Sequence, residues 1–212
     1  MNAKKTFPKG TLVLFASFVL LFIIIFLTQT PGKKTIPKDL IAVMRPHVMP
    51  LKPFKLIRHN EQAFSNKNLK GKWSFVFFGY THCPDICPTT LVTLKQIKKA
   101  LKKYPQAESD FQVVFVSIDP ERDTAKGLAD YISYFNKEFI AVTGLADNLA
   151  SFSKQFSAAY IKEVSNTPGD YLMSHTSSIF LVNPKLEITA SFSPPHSVAT
   201  ITEQYLKIHD MH

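Results

Sequence analysis

Trp73-Ser74-Phe75-Val76-Phe77-Phe78-Gly79-Tyr80-Thr81-His82-Cys83-Pro84-Asp85-Ile86-Cys87-Pro88 runs from an apolar stretch into a loop that holds both cysteines of the chain. Trp73 to Phe78 is apolar on nearly every residue, the pattern of a strand buried on both faces. Thr89 to Lys103 follows with a helical period, Leu94, Ile97 and Leu101 on one stripe and Lys95, Lys98, Lys99 and Lys102 on other faces. The cysteine loop is therefore expected at a strand-to-helix junction.

The prolines shape that junction. Each disfavours helical dihedrals in the residue before it, so Pro84 and Pro88 push Cys83 and Cys87 out of regular helix. Pro88 suits a first helical position, which makes Cys87 the expected cap and aims its thiol at unpaired amides and the positive end of the helix dipole. Two thiolates on one tight loop form a soft chelating pair, which selects copper(I) or zinc over hard cations.

Upstream, Thr11 to Thr28 carries no charge and is rich in Phe, Leu, Ile and Val, long enough for a membrane span of about 17 to 25 residues. Lysines flank it on both sides. The short tail with Lys4, Lys5 and Lys9 is expected on the cytoplasmic side, since a following domain translocates regardless of charge. The alternative of a cleaved signal peptide is disfavoured because Thr28-Gln29-Thr30-Pro31 lacks an Ala-x-Ala pattern. The expected organisation is a tail over 1–10, a single transmembrane anchor over 11–28, a Pro- and Gly-containing linker over 29–52 and one domain over 53–212. With 45% hydrophobic residues and 18 Phe, that domain has ample material for a core.

Downstream, the two periods alternate. Phe111 to Ile118 reads as a second buried strand, Asp123 or Thr124 as the cap of a helix to about Phe135, Phe139 to Val142 as a short strand, and Asp147 as the cap of a helix from Asn148 to about Ala158. Thr176 to Val182 reads as a strand, Glu187 to Phe192 as its hairpin partner across Asn183-Pro184, and Ser197 as the start of a closing helix. This is an α/β chain with a central mixed sheet flanked by helices. Cysteines placed after the first main strand look like a thioredoxin-type fold.

Three segments carry a closer resemblance. Gly79 to Pro88, then Val116-Ser117-Ile118-Asp119-Pro120-Glu121-Arg122-Asp123-Thr124, then Asp170-Tyr171-Leu172-Met173-Ser174-His175-Thr176 are similar to the signature segments of the SCO/SenC family. Members are membrane-anchored, thioredoxin-like copper proteins that help assemble the copper centre of cytochrome c oxidase. The resemblance covers roughly Pro53 to the C terminus and implies copper ligands at Cys83, Cys87 and His175. It also implies as partners the copper-bearing oxidase subunit and an upstream copper donor; a bacterial cytoplasmic membrane, with the domain in the periplasm, is expected because Met1 to Gly10 lacks an Arg-rich, Ser-rich transit pattern. One departure is Ser174, where the family usually has an acidic residue. Two thiolates suit copper(I) and the imidazole also suits copper(II), so such a site can hold either state.

Other readings of the same residues differ in weight. A purely structural disulfide between Cys83 and Cys87 would close a short loop and stabilise by only about 2 kcal/mol. A thiol-disulfide oxidoreductase cycling the two cysteines is the main rival, opposed by Cys-x-x-x-Cys rather than Cys-x-x-Cys spacing. His82 is read as solvated rather than a fourth ligand, Met173 as packing, and Asp119 to Thr124 as shaping a loop and cap. Asp85 is divided between tuning the thiols and a plain turn. His209, Met211 and His212 form a small metal-binding pattern in a tail expected to be disordered. The net charge of +9, with its lysine-rich stretch Lys95 to Lys103, is read as a solvated helix face rather than a nucleic-acid surface.

Overall fold

The computed structural model describes residues 9–28, 36–164 and 171–212. Most of the 1–10 tail, the start of the linker and Asp170 lie outside the described residues. The chain divides into two units, Met1–Ile36 and Pro37–His212. In the first, α1 spans Lys9–Thr28; its apolar side chains from Leu14 to Ile24 are exposed, and Ser17 Oγ donates to the Leu14 carbonyl at 2.9 Å. Among the described residues, no helix is long and apolar enough to cross a membrane.

In the second unit a short 3-10 turn, Lys38–Leu40, leads into β1 (Met44–Pro50), β2 (Leu56–Arg58), β3 (Ala63–Phe64), α2 (Asn66–Leu69), β4 (Trp73–Gly79) and α3 (Ile86–Leu101). Then come α4 (Pro105–Ser109), β5 (Phe111–Ser117), α5 (Ala125–Phe135), β6 (Ile140–Thr143) and α6 (Ala146–Phe156). The chain ends with β7 (Tyr160–Val164), β8 (Tyr171–His175), β9 (Ile179–Val182), β10 (Glu187–Phe192) and α7 (Val198–Asp210). Eight strands form one mixed sheet in the order β1-β10-β9-β4-β5-β6-β2-β3, while β7 and β8 pair only with each other. β4, β5 and β6 are parallel; β9, β10, β1, β2 and β3 join antiparallel. This is the thioredoxin-like α/β layout expected from the sequence.

The absence of polar alternation in β4 has its cause here, because all seven of its residues are buried with helices on both faces. On one face Phe75 meets Tyr205 of α7 at 5.2 Å between ring centroids and Phe111 at 5.0 Å. On the other, Phe78 meets Phe152 and Phe156 of α6 at 6.0 and 5.4 Å. The sheet is thus clamped by aromatic rings, and the C-terminal end of its central strand delivers the cysteine loop.

Four expectations need correction. The stretch read as linker contributes β1, which pairs with β10, and Leu40 and Leu51 are buried, so the folded unit starts at Pro37 rather than at residue 53. The helix after the cysteines begins at Ile86 with Asp85 as its N-cap, not at Pro88 with Cys87 as cap. Pro88 fits at the third helical position because the first four amides of a helix have no partner within it. The α6 helix begins at Ala146 behind Leu145, without a side-chain cap from Asp147. The strand expected over Thr176 to Val182 starts only at Ile179, because the Thr176 amide donates to Ala159 O (2.9 Å) and its hydroxyl accepts from Ala159 N (3.0 Å), keeping Thr176 with the β7–β8 hairpin.

Candidate metal centre

Cys83, Cys87 and His175 come together. Their ligand atoms, two sulfurs and one imidazole nitrogen, all lie within 4.8 Å of one another, and among the described residues this is the one group of three or more His, Cys, Asp or Glu arranged so as to hold a metal. Cys83 lies half-buried in the loop, Cys87 is fully buried as the second residue of α3, and neither forms a disulfide. Cys87 Sγ is 3.5 Å from His175 Nε2.

The helix end acts on the thiol that the sequence did not favour. Asp85 makes no side-chain capping bond, and the Cys87 amide donates instead to Cys83 Sγ at 3.4 Å. Cys83 therefore sits where helix amides and the dipole stabilise negative charge. Its thiol is held far below the ordinary range, to about 4, chiefly by the Cys87 thiol donating to its sulfur, with His175 and the Asp85 and Cys87 amides adding to this against the opposing effect of burial. Cys87 is pushed up, because its proton is shared with the Cys83 sulfur and because burial and the Cys83 charge both oppose a second thiolate. The expectation of a cap thiolate at Cys87 is thus reversed. The metal-free pair holds one thiolate and one thiol, and an ion binding both sulfurs must release the Cys87 proton.

His175 ends β8. Its Nδ1 lies 3.1 Å from the Thr176 carbonyl, an acceptor, so Nδ1 carries a proton and Nε2 is the ring nitrogen turned to the sulfurs. Phe77 and Tyr80 approach the imidazole edge-on, with ring centroids at 6.0 and 6.1 Å. The donor set of two sulfurs and an imidazole nitrogen fits a soft, low-coordinate ion such as copper(I) and leaves an open position for exchange.

Gly79 is required by the same geometry. A Cβ there would lie 2.7 Å from Cys87 Sγ and 2.8 Å from the Phe115 ring, so the strand must end in glycine for the sulfur to fit. The second motif buttresses the loop: buried Asp123 accepts from the Thr81 amide (3.0 Å), the Thr81 hydroxyl (2.5 Å) and the Ser117 hydroxyl (2.6 Å). Thr124, not Asp123, caps α5, accepting from Gly127 N at 3.1 Å. These supporting roles of Gly79, Tyr80 and Asp123 had no separate sequence signal beyond membership of the motifs.

The remaining candidates fall elsewhere. His82 is exposed and turned to the Thr81 hydroxyl at 3.0 Å and to Asp123 at 3.8 Å. Met173 is buried in the core. Ser174, at the position where an acidic residue is usual, donates its hydroxyl to Glu163 on the paired strand, which brings a carboxylate next to that position. The C-terminal pattern is ordered rather than loose: His209 and His212 pack on Trp73 at 5.8 and 5.1 Å, and His209 faces Asp110 at 3.7 Å. Trp73 begins β4 and the cysteine loop follows its other end, so these histidines are not part of the sulfur site.

A thioredoxin-like domain with a Cys-x-x-x-Cys loop after its central strand and a histidine returned to the sulfurs by a late hairpin is a thiol protein equipped to bind a soft metal. The chain belongs to the SCO1/SenC family, whose profile matches residues 45–210. It is 32% identical over 155 residues to the mitochondrial SCO1 homolog 1 of Arabidopsis thaliana, covering 73% of this chain and 46% of that protein. It is 32% identical over 150 residues to the mitochondrial SCO2 homolog of mouse, covering 71% and 58%; the chain thus spans about half the length of these relatives. Among solved structures it resembles Arabidopsis ScoI with copper bound (32% identity, TM-score 0.71, 76% of this chain and 98% of that one) and yeast Sco1 with copper bound (27%, 0.70, 77% and 90%).

Proposed function

We propose that Cys83, Cys87 and His175 hold one copper ion, and that the domain passes it to the copper-bearing subunit of cytochrome c oxidase while that enzyme's copper centre is assembled. The observation that carries this reading is the convergence of two sulfurs and an imidazole nitrogen within 4.8 Å, from elements far apart in the chain. Solved relatives with copper bound support the choice of metal, and the family resemblance supports the oxidase subunit as recipient. The half-buried Cys83 gives an incoming ligand access, so copper can move between protein ligands without release as a free ion. An upstream donor would load the site by the same exchange.

In this reading the uncharged stretch Thr11 to Thr28 is a single-pass anchor in a bacterial cytoplasmic membrane, with residues 1–10 as its cytoplasmic tail. The domain then stands in the periplasm, where the two thiols must be kept reduced to accept copper(I). The test is anaerobic titration of the reduced full chain in detergent with copper(I), beside Cys83→Ser, Cys87→Ser and His175→Ala. One tightly held copper per chain, weakened by each substitution, is the expected result; unchanged affinity in His175→Ala would end the three-ligand reading.

A second reading, an extracytoplasmic thiol-disulfide oxidoreductase acting on partner cysteines, is favoured by the unequal thiols. Cys83 is ionised near neutral pH while the Cys87 thiol beside it can resolve a mixed disulfide. Absence of specific copper uptake together with ready cycling of a Cys83–Cys87 disulfide would make it the primary one.

A further inference from the structure

The strand that carries His175 shares no ladder with the main sheet, since β7 and β8 pair only with each other. Beyond its chain links to α6 and β9, side chains help set its distance from the cysteines, and several of these contacts converge on Arg122. The Arg122 Nε donates to Asp119 at 2.5 Å and its Nη1 to the Tyr171 carbonyl at 2.9 Å. Its guanidinium lies 3.5 Å from the centroid of the Tyr171 ring and 5.6 Å from that of Tyr80. The Tyr171 hydroxyl closes the circuit by donating to Asp119 at 2.6 Å. Asp119 and Tyr171 are buried and the Arg122 side chain nearly so. A second strap, the Lys162–Glu121 pair at 2.6 Å, is solvent-exposed and contributes little by comparison.

We infer that Arg122 is a positioning residue for the metal centre, clamping the first residue of β8 so that the last, His175, reaches the sulfurs; this rests on the copper reading of Cys83, Cys87 and His175. Arg122 also faces Tyr80, whose ring meets the His175 imidazole edge-on. One guanidinium thus touches the residue after the central strand and the strand that brings the third ligand. Lysine cannot replace it, because an ammonium offers neither a planar face for the two rings nor a second nitrogen fixed at the spacing that reaches both Asp119 and the Tyr171 carbonyl.

The test is a double-mutant cycle on the reduced full chain in detergent, with copper(I) affinity measured by chelator competition in Arg122→Lys, His175→Ala and the double variant. The copper(II) form of each is examined by electron paramagnetic resonance for a nitrogen ligand. Arg122→Lys is expected to weaken copper by about 10- to 100-fold, the cost usual for loss of a group that orients a ligand, and to remove the nitrogen signature. In the His175→Ala background it is expected to change nothing further, since its effect passes through that ligand. Equal weakening in both backgrounds, or an unchanged nitrogen signal in Arg122→Lys, would overturn the inference. A His175→Ala chain that binds copper as the parent does would instead remove the three-ligand reading beneath it, visible with Arg122 intact. Should Arg122→Lys not fold, Tyr171→Phe, which deletes only the hydroxyl bond to Asp119, is expected to weaken copper in the same direction and again only when His175 is present; the same loss without His175 would count against the clamp.

Discussion

Cys87 Sγ and His175 Nε2 stand 3.5 Å apart although 88 positions separate the residues in the chain. The contact joins a helix rooted in the main sheet to a hairpin outside it, beside two unequal thiols: Cys87 keeps its proton, shared with the Cys83 sulfur, while Cys83 takes the charge.

That ordering predicts unequal alkylation. In the reduced, metal-free protein Cys83 is lowered to about 4 and Cys87 is raised above the ordinary thiol range. A lowered value means that the thiolate persists as pH falls, so iodoacetamide should modify Cys83 at a nearly constant rate from pH 8 to pH 6, with decline only as pH approaches 4. Cys87 should stay unmodified across the same range until the protein is unfolded. Peptide mapping of the alkylated chain reads both, and equal labelling of the two thiols at pH 7 would contradict the asymmetry.

Gly79 makes a packing prediction. Its missing Cβ leaves room for Cys87 Sγ on one side and the Phe115 ring on the other, at 2.7 and 2.8 Å from where that carbon would stand. Both neighbours are fully buried, so neither can swing out into solvent to make room. Gly79→Ala should therefore destabilise by about 1 to 3 kcal/mol, the usual cost of overpacking, and should weaken copper binding by shifting the sulfur. Thermal unfolding beside copper titration checks it; wild-type values in both would show that the strand end yields without strain.

How much was legible in the sequence follows from what each feature depends on. β4, β5, α5, β10 and α7 could be read because their apolar period is fixed by burial against the sheet. Cys83, Cys87 and His175 were found through motifs, and the structure brings them together. The identity of the ionised thiol was missed because it depends on where α3 starts: Asp85 takes the cap and Cys87 falls inside the first turn, a one-turn detail that the proline rule pointed the other way. β1 was missed since its side chains are mostly exposed, with Pro46 and Pro50 resembling a linker, and only the backbone pairing with β10 makes it a strand. The hairpin carrying His175 gave no signal of being separate from the main sheet, because pairing partners are a property of the folded chain.

Asp123 supplies the last prediction. Its Oδ2 accepts from the Thr81 amide and the Ser117 hydroxyl, and its Oδ1 from the Thr81 hydroxyl. Asparagine can keep its carbonyl on the first two and turn its amide to the Thr81 oxygen, which is able to accept, so Asp123→Asn should cost about 1 kcal/mol. Alanine leaves the Thr81 amide with no acceptor behind the cysteine loop, and a buried donor without a partner is the larger penalty. Asp123→Ala should therefore cost about 3 kcal/mol and weaken copper binding as the loop loosens. Denaturant unfolding of the metal-free variants measures the first effect and copper titration the second. Equal losses for Asn and Ala would mean that the negative charge of Asp123, rather than its hydrogen bonds, holds the loop in place.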